Sequence, residues 1–291
     1  MSAREITSLH YYPIKSCAPV RATEVTFTET GIAHDRERML VGERGQFLSQ
    51  RVHPELALVQ TDLQDDKLIV QAPRVGALAI PLEQDPDAEE IAINLFKKPG
   101  SGLLAGSEVN EYFSDYLGRN ARLIRVQQPR TIKPECQVEG YSTRTAFADG
   151  FPLLLTSSNS LTELNNHLER PVPMGRFRPN IVVEGAEPYA EDCWRKVQVG
   201  DLQAFVVRAC ARCSIPNIHL QAGVLPKERP VTDALRATRY GIDPVSGTKE
   251  VFFGQNLVHV PEPGVVVRVG DPVTVVESSF DPNWYPIQEA K

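Results

Sequence analysis

Cys210 and Cys213 stand three residues apart in the stretch Arg208-Ala209-Cys210-Ala211-Arg212-Cys213, with a guanidinium between them. An adjacent cation favours the thiolate, the form of cysteine that ligates soft metals and attacks electrophiles. By itself the spacing is compatible with half of a zinc site, a dithiol redox pair, or one functional thiolate beside a bystander. Zinc needs two further ligands, and Cys17, Cys136, Cys193 and His219 are scattered singly, so no second half-site is visible. A thioredoxin-like pair expects a βαβ setting, whereas this pair follows Phe205-Val206-Val207 and leads to Ile215-Pro216.

The elements that must position these thiols belong to a chain of 291 residues, 42% hydrophobic and 23% charged, with 23 prolines and 19 glycines. That composition favours many turns over long helices, and the length allows two packed domains or one large β-rich domain. Over 6–126 short apolar runs such as ITSLHYYPI, ATEVTFT, RMLVGERGQFLS and IAINLF alternate with turn signals at Glu43-Arg44-Gly45 and Asp65-Asp66, the pattern of a small β-barrel or packed sheets. One helix is predicted there, with Val109, Tyr112, Phe113, Tyr116 and Leu117 on one face and Gly118 as its stop. The acidic run 84–90 reads as a solvated loop.

Periodicity lapses over 127–150, which reads as an irregular connection between two halves. The second half opens with the strand-like PLLLTS, and Ser160 and Glu163 have the spacing of a capping box ahead of a helix face formed by Leu161, Leu164, Asn165 and Leu168. Two Val-x-Val-Gly-Asp turns, at Val197 to Asp201 and Val267 to Asp271, suggest two meander hairpins of one barrel. The expected class is mainly β with a few helices (α+β): a first domain over 1–126, the connection, a second domain over 151–278, and a tail over 279–291.

Five cysteines, an odd number in a chain of this size, suit reduced thiols better than a disulfide framework. No apolar run reaches signal-peptide or membrane-spanning length, so a cytoplasmic protein with no membrane partner is expected. A net charge of -6 argues against nucleic acid as a partner, while the 31 basic residues leave room for a locally cationic site holding an anionic ligand.

Several further motifs occur in order along the chain: Tyr12-Pro13-Ile14-Lys15-Ser16-Cys17, Asp35-Arg36, Phe177-Arg178-Pro179-Asn180, Tyr189-Ala190-Glu191-Asp192, the cysteine pair, Phe253-Gly254-Gln255-Asn256 and Val269-Gly270-Asp271. With these the chain resembles the MOSC superfamily, in the branch of the mitochondrial amidoxime-reducing component and its bacterial YcbX-like relatives. The resemblance implies an N-terminal β-barrel-like domain packed on a MOSC β-barrel domain. It also implies a molybdenum cofactor with Cys213 as protein ligand to the metal, a thiolate suiting a soft, sulfur-rich centre. Carried over with it as cofactor-binding positions are Lys15, Ser16, Arg36, Thr156, Ser157, Arg178, Asn180, Ala211, Arg212 and Asn256. Arg212 is expected to keep Cys213 ionised, with Cys210 outside the coordination sphere. Cys17, Cys136 and Cys193 read as buried small hydrophobes.

The implied activity is reduction of N-oxygenated, N-hydroxylated small molecules. No four-cysteine cluster follows Asp271, so the electrons are expected from a separate flavin or iron-sulfur protein. The alternative is a non-catalytic carrier of the cofactor or of sulfur. Two departures bear on substrate preference: Ser214-Ile215-Pro216-Asn217 stands where the amidoxime-reducing relatives show a Thr-Thr-Val-Asp-like run, and Ala209 stands where proline is frequent.

Overall fold

The computed structural model describes residues 4–83, 85–95, 98–138 and 140–286. Gln84 of the acidic run and the last five residues of the expected tail, 287–291, lie outside them.

Strands dominate. Leu153–Ser157 is buried along its whole length, the mark of a central strand covered on both faces. It pairs in parallel with Ile181–Glu184 and antiparallel with Lys249–His259. From there the sheet runs through Leu202–Ala211 and Trp194–Val199 to Val273–Ser278. On the other side Ile181–Glu184 pairs with Glu5–Tyr11, so the first strand of the chain lies in the sheet of the second half. An antiparallel bridge between Glu5 and Pro272 closes that sheet on itself, supported by the bond from Val273 N to the Arg4 carbonyl. Closure removes exposed edges and encloses one apolar core that includes Leu9, Phe27, Leu155, Ile181, Val197 and Leu257.

A second core, around Ile14, Leu40, Leu56, Leu68, Phe113 and Leu123, belongs to the first half. Its sheets are antiparallel, one built from Arg38–Val41, Arg122–Val126, Lys98–Leu104 and Glu90–Leu95, the other from Gln60–Gln64, Lys67–Ala72 and Gly76–Pro81. Glu90–Leu95 shows the alternation of a half-buried strand, with Ile91, Ile93 and Leu95 packed in a separate cluster with Met39, Val41 and Ile124. The helix Ser107–Leu117 packs Val109, Phe113 and Tyr116 into the second core and stops at Gly118, whose φ of 62° is the left-handed cap. The described part of the acidic run, 85–90, is mostly exposed.

Two expectations are corrected. The helix expected after PLLLTS is Ser158–Asn165, which starts directly after its strand, so Ser160 lies inside it and forms no capping box. Its hydroxyl is occupied elsewhere: it donates to Glu191 at 2.9 Å and accepts from Tyr189 N at 2.7 Å. The second Val-x-Val-Gly-Asp turn also does not join a hairpin. Val266–Arg268 pairs with Glu24–Thr28, whereas Val273–Ser278 pairs with Trp194–Val199. The physical reason is the tight turn at Gly270, with Asp271 accepting from Arg268 N, which throws the chain onto Ile6 and closes the barrel.

A cation-lined cleft at the cysteine pair

A cleft of about 260 Å³ is lined by residues from both halves of the chain. Lys15, Ser16 and Arg36 reach it from the first half, and Arg178, Asn180, Ala211, Arg212, Cys213 and Asn256 from the second. Thr156 and Ser157 do not line it. Both are fully buried, with the Thr156 hydroxyl 3.2 Å from the Met174 sulfur.

Local backbone geometry explains how residues so distant in sequence converge. A bridge between Ile14 and Arg38, with Lys15 N donating to the Arg38 carbonyl at 2.8 Å, lays the Lys15-Ser16 segment beside the turn that carries Arg36. Ser16, Arg36 and Arg178 have φ of 74°, 54° and 57°, the left-handed region that non-glycine residues occupy only when surroundings enforce it. The cysteines follow from the strand Leu202–Ala211, whose register against Lys249–His259 slips between Ala209 and Ala211. That irregularity ends the strand, leaving Cys210 half-buried and Cys213 exposed at the cleft.

The lining is strongly cationic for a protein of net charge -6. Lys15, Arg36, Arg51, Arg178, Arg208 and Arg212 line the cleft, against a single lining carboxylate, Asp149, among the described residues. Lys15 pairs with Asp149 and donates to the Phe147 carbonyl at 2.6 Å; burial lowers its pKa. The Asp149 side chain is 68% open to solvent, yet it sits on a concave wall crowded by protein. Burial acts to raise its pKa, but the Lys15 charge and hydrogen bond, with Arg36 and Arg51, outweigh this and hold it well below the usual carboxylate range. Arg208 is occupied by Asp243, through a bond from Nε at 2.7 Å.

Arg212 does not engage Cys213. Its Nη1 donates to the Cys210 sulfur at 2.9 Å and its Nη2 to the Phe177 carbonyl at 2.8 Å, while its buried Nε has no partner. The guanidinium therefore bears directly on the thiol that sequence reasoning set aside. Asn180 lines the cleft, but its side chain is largely committed to the framework: Oδ1 accepts from Leu154 N at 3.1 Å and Nδ2 donates to the His10 carbonyl at 3.1 Å. Asn256 donates to the Ala209 carbonyl at 3.4 Å. Of the remaining cysteines, Cys17 and Cys136 are buried in apolar clusters, while Cys193 is only partly buried. Among the described residues no group of three or more metal-binding side chains converges.

Sequence reasoning passed over Asp149, Arg51, Ser49 and Phe47, which also line the cleft. Asp149 falls in the stretch read as an irregular connection, where no periodicity marks a role. Tyr12, inside a quoted motif, received none either, although both Arg36 and Arg178 lie over its ring.

Comparison with known proteins matches residues 3–120 to the MOSC N-terminal beta barrel domain and 142–274 to the MOSC domain. The mitochondrial amidoxime reducing component 2 of Rattus norvegicus is 31% identical, with 92% of this chain and 82% of the relative covered. The mitochondrial amidoxime-reducing component 1 of Mus musculus is 30% identical over 92% of this chain and 81% of its own length. The molybdenum cofactor sulfurase of Arabidopsis thaliana is 30% identical over 80% of this chain, which spans only 31% of that longer protein. A cation-lined cleft at a cysteine pair, two matched domains and near full-length relatives together place this chain in the MOSC-domain family, with the amidoxime-reducing components among its relatives.

Proposed function

We propose that this protein is a molybdenum-cofactor-dependent oxidoreductase that reduces N-oxygenated, N-hydroxylated small molecules with electrons from a separate flavin or iron-sulfur protein. The observation that carries the reading is an exposed thiol, Cys213, in a cleft lined by six cationic side chains, in a chain whose near full-length relatives are named amidoxime-reducing components.

The donor set fits such a group. A thiolate suits a soft metal, arginine forks and a lysine suit phosphate, and the buried unpartnered Arg212 Nε is a donor left over for a polar ligand edge. Cys213 would hold the metal. Lys15, Arg36 and Arg178 would take anionic oxygens, and Ser16, Asn180, Ala211, Arg212 and Asn256 would contact the polar pterin. Thr156 and Ser157, carried over as cofactor-binding positions, are fully buried and off the cleft wall. Thr156 packs so tightly under Gly254 that a Cβ there would lie 2.7 Å from its methyl group. When bound, the cofactor would supply a centre able to accept oxygen and cycle electrons. The chain itself orients the substrate and supplies the electrostatic field; Asp149 is a lining carboxylate able to accept hydrogen bonds from substrate N–H groups.

Among the described residues no helix is long and apolar enough to cross a membrane. All five cysteines are free thiols.

The test is reduction of a simple amidoxime to its amidine, driven by a chemically reduced artificial donor and followed by chromatography. Turnover by the purified protein that is lost in Cys213→Ala supports the proposal. Inactivity toward several N-oxygenated substrates, in protein that holds the cofactor, rejects it in favour of a carrier.

A further inference from the structure

Two cationic side chains from opposite halves of the chain share one aromatic ring. The Arg36 and Arg178 Cζ atoms lie 4.3 Å and 4.2 Å from the Tyr12 ring centroid. The ring is fully buried, so both contacts are largely removed from water, where cation–π attraction is strongest.

Tyr12 is tied to the neighbours of both arginines. Its N–H donates to Asp35 Oδ1 at 2.8 Å, and its carbonyl accepts from Arg36 N at 2.7 Å. Its hydroxyl donates at 3.0 Å to the carbonyl of Pro179, next to Arg178. The guanidiniums are restrained as well: Arg36 pairs with Asp35, and Arg178 Nη1 donates to the Cys17 carbonyl at 2.8 Å. Both arginines have left-handed φ, a conformation kept only where packing enforces it. Two like charges held against one ring repel, and the negative π-density of that ring offsets the repulsion. Burial pushes the phenol up to about 12, so the ring stays neutral and cancels neither charge.

We propose that Tyr12 is the positioning residue of a two-arginine anion clamp, its ring face holding Arg36 and Arg178 together at the cleft so that one phosphate-bearing ligand engages both. The inference rests on the reading of the cleft as the site of an anionic cofactor, and it assigns Tyr12 a role in specificity for that charge.

The experiment uses the full chain freed of metal and pterin, with pyrophosphate as the probe and calorimetry as the readout. Tyr12 is replaced by phenylalanine, then by phenylalanines carrying one, three and five ring fluorines. These rings have nearly the same shape but a progressively less negative face. The phenylalanine variant should bind pyrophosphate within about twofold of the original. Affinity should then fall stepwise to about tenfold weaker at five fluorines, the scale of two cation–π contacts. A purely structural role for the ring leaves affinity flat across the series, and that result overturns the proposal, as does absence of pyrophosphate binding by the unsubstituted protein. Tyr12→Leu should lose affinity as well; should it fail to fold, the fluorinated series still decides. Molybdenum and pterin content of the same protein as purified separates the two readings. Cofactor present with a flat series rejects only the role of Tyr12, whereas a stepwise series without cofactor keeps the clamp and rejects the cofactor.

Discussion

Replacing Asp192 with alanine should destabilise the fold by about 4 kcal/mol. Asp192 is 4% exposed. Its Oδ2 accepts from Arg239 and from Trp284 Nε1 at 3.0 Å, and its Oδ1 accepts from Gln255 Nε2 at 2.7 Å. Arg239 is buried between Tyr189 and Trp284, 3.9 Å and 4.9 Å from their ring centroids, with only 6% of its surface exposed. Breaking such a pair from one side costs about 3–5 kcal/mol, because an uncompensated charge stays buried. The two stranded N–H donors add about 1 kcal/mol each, less than additively, since all share one site. Against a typical stability of about 5–15 kcal/mol the variant is left marginal. Urea unfolding followed by tryptophan fluorescence measures the loss. The same reasoning makes Arg239→Met in the Asp192→Ala background less harmful than the sum of the single changes, by about 2 kcal/mol, because the stranded cation is gone. A single-variant loss below about 1 kcal/mol, or strict additivity, would refute the account of this network. The consequence reaches the cleft, because Gln255 lies next to Asn256 on the strand that braces the cysteine pair.

Three further outcomes follow from the same structure. Burial, followed by the Asp192 charge, raises Glu191 from 4.5 to about 7. The folded state then binds this proton more tightly than the unfolded state, so stability falls as pH climbs from 4.5 to 7. Glu191→Gln should flatten that decline in a pH series of unfolding curves, and an unchanged slope contradicts it. Asp149→Asn removes the carboxylate that competes for Lys15, so pyrophosphate should bind the metal-free protein about threefold more tightly at low salt, with the gain fading at high salt; weaker binding at every salt concentration counts against it. Gly254→Ala should cost about 2 kcal/mol or more in unfolding free energy, because its φ of +78° disfavours any side chain and the new methyl would press on Thr156 and the Leu155 carbonyl.

Local chemistry was legible where one residue type answered one local need. The apolar spacing ahead of Gly118 gave the helix Ser107–Leu117, and the Val-Gly-Asp turn at Gly200 gave the hairpin of Trp194–Val199 with Leu202–Ala211. What escaped was every pairing set by long-range closure. The strand Glu5–Tyr11 carries the same period-two signal wherever it pairs, so nothing in it announces a partner about 175 residues away. The turn at Gly270 looks like that at Gly200, and only the contact with Ile6 separates barrel closure from a hairpin. Ser160 and Glu163 satisfied a capping pattern that Glu191 overrode from another part of the chain. At the cleft, motifs indicated most of the converging residues but not their partners. Arg212 is one residue from Cys213 in sequence, yet strand geometry turns its guanidinium onto Cys210. Tyr12 escaped because an aromatic in a strand-like run reads as core, which it also is.

The proposed function requires Cys213 to hold a molybdenum cofactor in the cleft. The direct measurement is metal content of the purified protein by elemental analysis, together with pterin fluorescence after oxidation, for the unsubstituted chain and Cys213→Ala. Molybdenum and pterin near one per chain are expected in the former and loss of molybdenum in the latter. Stoichiometric zinc without pterin, or molybdenum retained in full by Cys213→Ala, would contradict it.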